Sequence, residues 1–103
     1  MSARGTGLAA IAEARIHPDI LRRESAATAG VSEPMITWAR RIVRSGIPEL
    51  IVAVEDGRIA LYMGARICRW APASQREVIS ILKQTEGETL SLTVFQSLIP
   101  PAK

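Results

Sequence analysis

Thr37, Arg41 and Arg44 recur at near-helical spacing, and a short hydroxyl beside guanidinium groups is a set that hydrogen-bonds base edges and phosphates. At about 100° per residue, Met35, Ile36, Ala39, Ile42 and Val43 form one apolar arc, while Pro34, Thr37, Arg41 and Arg44 lie opposite. Thr37 and Arg41, one turn apart, are placed for neighbouring base edges; Arg40 and Arg44 are placed for phosphates, as are Arg22 and Arg23 at the start of the preceding segment. Ser32, just before this stretch, offers its hydroxyl and the helix-end amides to a phosphate. Glu33 is the acid of the group and is compatible with nucleic acid only opposite a cytosine amino group. Trp38 falls on the border of the two faces, where packing is expected.

Other chemistries are poorly supplied. His17 precedes a proline at a helix boundary and has no second histidine, so it reads as a loop residue, and Cys68 reads as a small core residue. Gly5-Thr6-Gly7 lacks the lysine of a phosphate loop, and Glu55-Asp56 reads as a solvated helix end. No acid, base and nucleophile set emerges, so the expectation is a protein that is not an enzyme, with no metal and no cofactor.

The chain has 103 residues, room for one small core, and its 48% apolar residues with only 4% aromatics favour closely packed helices. The net charge is +3, and it sits in residues 1–46, which hold seven Arg against four acids. Eleven of the thirteen basic residues are Arg, whose planar fork suits phosphate and guanine better than an ammonium does. A single cysteine excludes a disulfide framework and points to the cytoplasm, and the early apolar stretch is broken by Glu13 and Arg15, so no signal peptide or membrane span is expected.

These residues need helices to position them. Leu8–Arg15 forms an opening helix with Leu8, Ile11 and Ala12 on one stripe, and a second helix is expected from about Pro18 to Ala27 or Ala29. Gly30 supplies the turn, Ala26 the small residue where two helices cross, and Ser32 the cap of a third helix that runs through Arg44 and ends at Ser45-Gly46. The stretch PELIVAVEDGRIALYM stays open between a hairpin turning at Asp56-Gly57 and a pair of helices. Ser74 is a candidate cap for a last helix to about Gln84 carrying Val78, Ile79 and Leu82, and the tail alternates Leu90, Leu92 and Val94 like a strand. The expected fold is therefore mainly α: a helical domain over 1–84 with a helix-turn-helix at about 21–45 and a helical region over 48–84, then a strand-like tail over 85–103 used in pairing.

AATAGVSEPMITWARRIV, followed by GIPELIVAVEDGRIALYMGARICRWAPASQREVISIL, resembles the DNA-binding region of ParB-like partition proteins and related small phage and plasmid proteins. The shared features are G-V-S at the turn, a later glycine before P-E-L, the A-V-x-x-G-x-I run, and a proline followed by Q-R-E-V-I, over roughly residues 22–82. The resemblance implies helices across the ambiguous stretch and a sequence-specific regulator, transcriptional or partition-type, of a mobile element. It does not bring nucleotide hydrolysis with it, since too few residues precede the helices for the family's upstream G-E-R-R-type box. Double-stranded DNA and a second copy of the chain are the expected partners, with dimerisation setting two reading helices one DNA turn apart. The alternative is a protein-interaction module or inhibitor that reuses the scaffold and binds a protein partner through Trp38, Tyr62, Met63 and Trp70 together with the tail.

Overall fold

The computed structural model describes the backbone of residues 3–84 and the side chains of residues 7–84. Six helices fill this region and no strand occurs among the described residues: α1 Ala3–Ile16, α2 Arg22–Ala29, α3 Glu33–Ser45, α4 Pro48–Glu55, α5 Leu61–Ile67 and α6 Pro72–Gln84. The mainly helical fold expected from composition is the one observed. The strand expected over 85–103 lies outside the described residues.

The central element is α3, which packs on α1, α2 and α5. Its buried residues Ile36, Ala39 and Ile42 belong to the apolar arc, with Met35 and Val43 partly buried beside them. Pro34 sits in the first turn, where its missing N–H breaks no helical bond, and the Gly46 amide closes the last turn on the Ile42 carbonyl at 2.7 Å. The turn before it is built as the sequence suggests: Gly30 has φ +73°, and the Gly30 and Val31 amides both donate to the Ala26 carbonyl, at 2.8 and 3.0 Å.

Three local expectations are corrected. The second helix begins at Arg22 rather than Pro18, because the carbonyls of His17 and Ile20 are turned toward Arg40 instead of along a helix axis. The buried stripe of α1 is Gly7, Ala10, Ile11 and Ala14, while Leu8 is 48% exposed and Ala12 is exposed. A Cβ at Gly7 would stand 2.6 Å from the Val54 carbonyl oxygen, so α1 meets α4 at a position that takes only glycine, while Leu8 is turned out. Ser74 lies inside the first turn of α6, whose start is Pro72, so it does not cap that helix.

The open stretch is helical. In α4, Leu50, Ile51, Ala53 and Val54 are all buried, which explains why its sequence shows neither clean strand alternation nor a polar helical face. The chain then turns at Asp56-Gly57, where a hairpin was the alternative, and enters α5. There Gly64 allows three helices to converge: a Cβ would meet Val54 Cγ2 at 2.8 Å and Ile42 Cδ1 at 3.0 Å. In α6, Val78, Ile79 and Leu82 are buried as their spacing suggests, and Gln75 is buried with them. No helix among the described residues is long and apolar enough to cross a membrane.

Candidate nucleic-acid interface

The outward face of α3 carries Glu33, Pro34 and Arg44, all exposed, with Thr37 and Arg41 half-buried. Thr37 is held from the neighbouring helix, because Arg22 Nη1 donates to its Oγ1 at 3.0 Å. A threonine hydroxyl has one donor hydrogen and two acceptor lone pairs, so this bond occupies one lone pair and leaves the hydrogen for an acceptor outside the protein. Arg23 is exposed beside Arg22, where Leu21, Arg22, Arg23 and Glu33 line a shallow depression between the starts of α2 and α3. Ser32 occupies the N-cap position with extended backbone (φ −80°, ψ 161°), but its hydroxyl makes no capping hydrogen bond.

Arg40 has a different role from the one its sequence neighbours suggested. Its Nη2 donates to the carbonyls of His17 and Ile20, at 3.0 and 2.8 Å, and to Ser25 Oγ at 3.1 Å. It is thereby committed to the loop between α1 and α2 rather than to the outward face. Behind it, Glu13 is 6% exposed, and its Oε2 accepts from Ser25 Oγ at 3.0 Å and lies 2.8 Å from His17 Nδ1. The His17 contact, reinforced by the Ser25 hydroxyl and the charge of Arg40, holds the Glu13 carboxyl below its ordinary value of 4.5 against the cost of burial. Glutamate, serine and histidine meet here, but Ser25 is fully buried and its hydroxyl is spent on the Glu13 carboxylate, so no substrate reaches it and the cluster is a tie between α1, α2 and α3.

On the other flank, α3 meets α5. Trp38 is partly buried against the core, and its ring lies 6.5 Å from that of Tyr62 at an interplanar angle of 58°. Such a tilted aromatic pair is a packing contact, as expected of Trp38. Met63 is 4% exposed and belongs to the core, and Trp70 is partly buried against it. The surface expected of Tyr62, Met63 and Trp70 therefore loses Met63 to the interior and keeps Tyr62, which is 41% exposed. Cys68 is buried, and its Sγ contacts the Ala65 carbonyl oxygen at 3.2 Å. Burial pushes its thiol up, against the opposing pull first of Arg41 and then of Arg69, so an inert core role fits it.

Arg69, the exposed sequence neighbour of Cys68, was absent from the sequence-derived set. A signal was available: residues 57–76 contain four Arg and no acid, although the wider span 47–82 holds four acids that balance them. Gln75 was also missed. Its Oε1 accepts from the Ile47 amide at 2.9 Å, and its Nε2 donates to the carbonyls of Cys68 and Trp70 at 3.2 and 2.9 Å, fixing the two turns that carry α5 beside α3. Among the described residues no group of three or more potential ligands is placed to hold a metal ion. No protein-family model, curated protein or solved structure gives a significant match to this chain.

Proposed function

We propose that this chain binds double-stranded DNA as a homodimer, with α3 as the reading helix in the major groove, and acts as a transcriptional or partition-type regulator of a mobile element. The observation that carries this reading is the Arg22–Thr37 bond across the helix-turn-helix, beside Arg41 and Arg44 on the same helix. It presents a fixed hydroxyl donor among guanidinium groups, with no acid in the sequence between Glu33 and Glu49. Thr37 and Arg41 read base edges, while Arg22, Arg23, Arg44 and the Ser32 end of α3 hold phosphates. The ParB-like motif pattern over residues 22–82 supports the same use and suggests the mobile-element setting, which is cytoplasmic. Two copies place their α3 helices about 34 Å apart, one turn of DNA.

A mobility-shift titration against the chain's own upstream DNA, at two salt concentrations, tests this with wild type and Arg41→Ala. Wild type is expected to bind with an affinity that falls steeply with salt, and Arg41→Ala to lose about 1–3 kcal/mol. Absence of salt-sensitive binding by the wild type would end the DNA reading. A protein partner on this surface is less supported, since Met63 is buried and Trp70 packs inward.

A further inference from the structure

On the side of the molecule built by α4 and α6, a groove of about 390 Å³ runs between the two helices, its lining formed by the aliphatic Val52, Ala53, Ile79 and Leu82 together with the charged Glu49, Asp56, Arg58 and Lys83. Val52 is 51% exposed there, although it belongs to a helix whose other aliphatic residues are buried. An aliphatic lining with an exposed valine has gained nothing from water, and something apolar gains by covering it.

The chain itself continues from this rim. Leu82 and Lys83 line the groove and the described residues close at Gln84, so the sequence that follows is tethered beside the groove. Thr85-Glu86-Gly87-Glu88 is a polar connection with a glycine suited to reversing direction, and after it Leu90, Leu92 and Val94 alternate with Thr89, Ser91 and Thr93. Six residue steps from Gln84 to Leu90 reach at most about 20 Å at 3.3–3.6 Å each. The eight-residue α4 is only about 12 Å long at 1.5 Å per residue, so its whole length is within reach. A tethered segment is present at an effective concentration on the order of millimolar, well above a second copy of the chain in dilute solution.

We propose that Leu90, Leu92 and Val94 of this same chain cover the α4–α6 groove, with Thr89, Ser91 and Thr93 turned to water. The proposal is independent of DNA binding, which uses the α3 face.

Disulfide trapping in the full chain tests it. Val52→Cys is paired in turn with Leu90→Cys, Leu92→Cys, Val94→Cys, Ser91→Cys and Thr93→Cys; Cys68, 2% exposed, is left in place. The expected result is an intramolecular disulfide at one or more of the three apolar positions. It forms at a rate independent of protein concentration and about tenfold or more faster than at Ser91 or Thr93. A disulfide-linked dimer assigns the groove to a second copy and overturns the proposal, as do equal rates at alternate positions or no trapping at all. A second measurement removes any dependence on disulfide geometry: thiol labelling of Val52→Cys alone is expected to accelerate several-fold when Leu92→Asp is added. An unchanged labelling rate, with helix content intact by circular dichroism, also overturns it.

Discussion

Arg40 and Arg41 are adjacent on α3 and serve different neighbours. One step of about 100° around the helix takes Arg40 onto the loop carbonyls of His17 and Ile20, and leaves Arg41 beside Thr37 and Arg44 on the outward face. The first arginine builds the interior of the helix-turn-helix, and the second is available to a ligand. A basic run is therefore no measure of how much charge a surface presents: of three arginines in Arg40, Arg41 and Arg44, two contribute to the outward face.

Stability measurements can break this division. Arg40→Ala removes bonds to two loop carbonyls and Ser25 and a minor part of the charge that favours ionised Glu13, so a loss of about 2–4 kcal/mol is expected in denaturant unfolding. A change under about 0.5 kcal/mol would show that the loop does not depend on it. Gln75 extends the comparison to a tie made without charge. Gln75→Ala removes the acceptor of the Ile47 amide and the donor to the Cys68 and Trp70 carbonyls, for an expected loss of about 2–3 kcal/mol that salt leaves unchanged.

The same contrast explains what could be read from the sequence. The turn at Gly30, the small Ala26 at the crossing, and the apolar arc of α3 are set by local backbone geometry and period, so they were legible. The role of Arg40 was not, because it depends on where a loop some twenty residues earlier places its carbonyls. Met63 and Tyr62 show the same limit on a shorter scale: α5 spans seven residues, too few for a periodic signal to say which neighbour faces inward. Helix α4 was ambiguous because burial on most of its surface erases the pattern that separates helix from strand. Of the candidate interface, Thr37, Arg41 and Arg44 were legible from helical period; the Arg22–Thr37 bond required the packing of α2 on α3.

The Glu13 cluster sharpens the comparison through pH. Its carboxyl is held below 4.5 in the folded chain, so the contribution to stability is complete above that value and is lost as pH falls through the lower folded value. Wild type should thus lose stability below about pH 4.5 more steeply than Glu13→Gln, which cannot titrate at this position. Thermal unfolding of the two proteins across the acid range measures the difference. Parallel curves would mean that the cluster holds α1 to α2 without depending on the carboxylate charge.

The smallest effect on folding is expected at Arg41, and it is the most informative about function. No hydrogen bond or ion pair holds Arg41 among the described residues, so Arg41→Ala should change unfolding free energy by no more than about 0.5 kcal/mol. If the outward face binds DNA, the same variant should reduce the slope of log affinity against log salt by at most about one, with Arg69→Ala giving a similar reduction from the turn that follows α5. Base-edge contact and phosphate contact are then separable: Arg41→Ala relaxes preference among DNA sequences, whereas Arg69→Ala weakens all of them alike. A variant of Arg41 that destabilised the fold as much as Arg40→Ala would place both arginines in the interior, and the division between the two sides of α3 would fail.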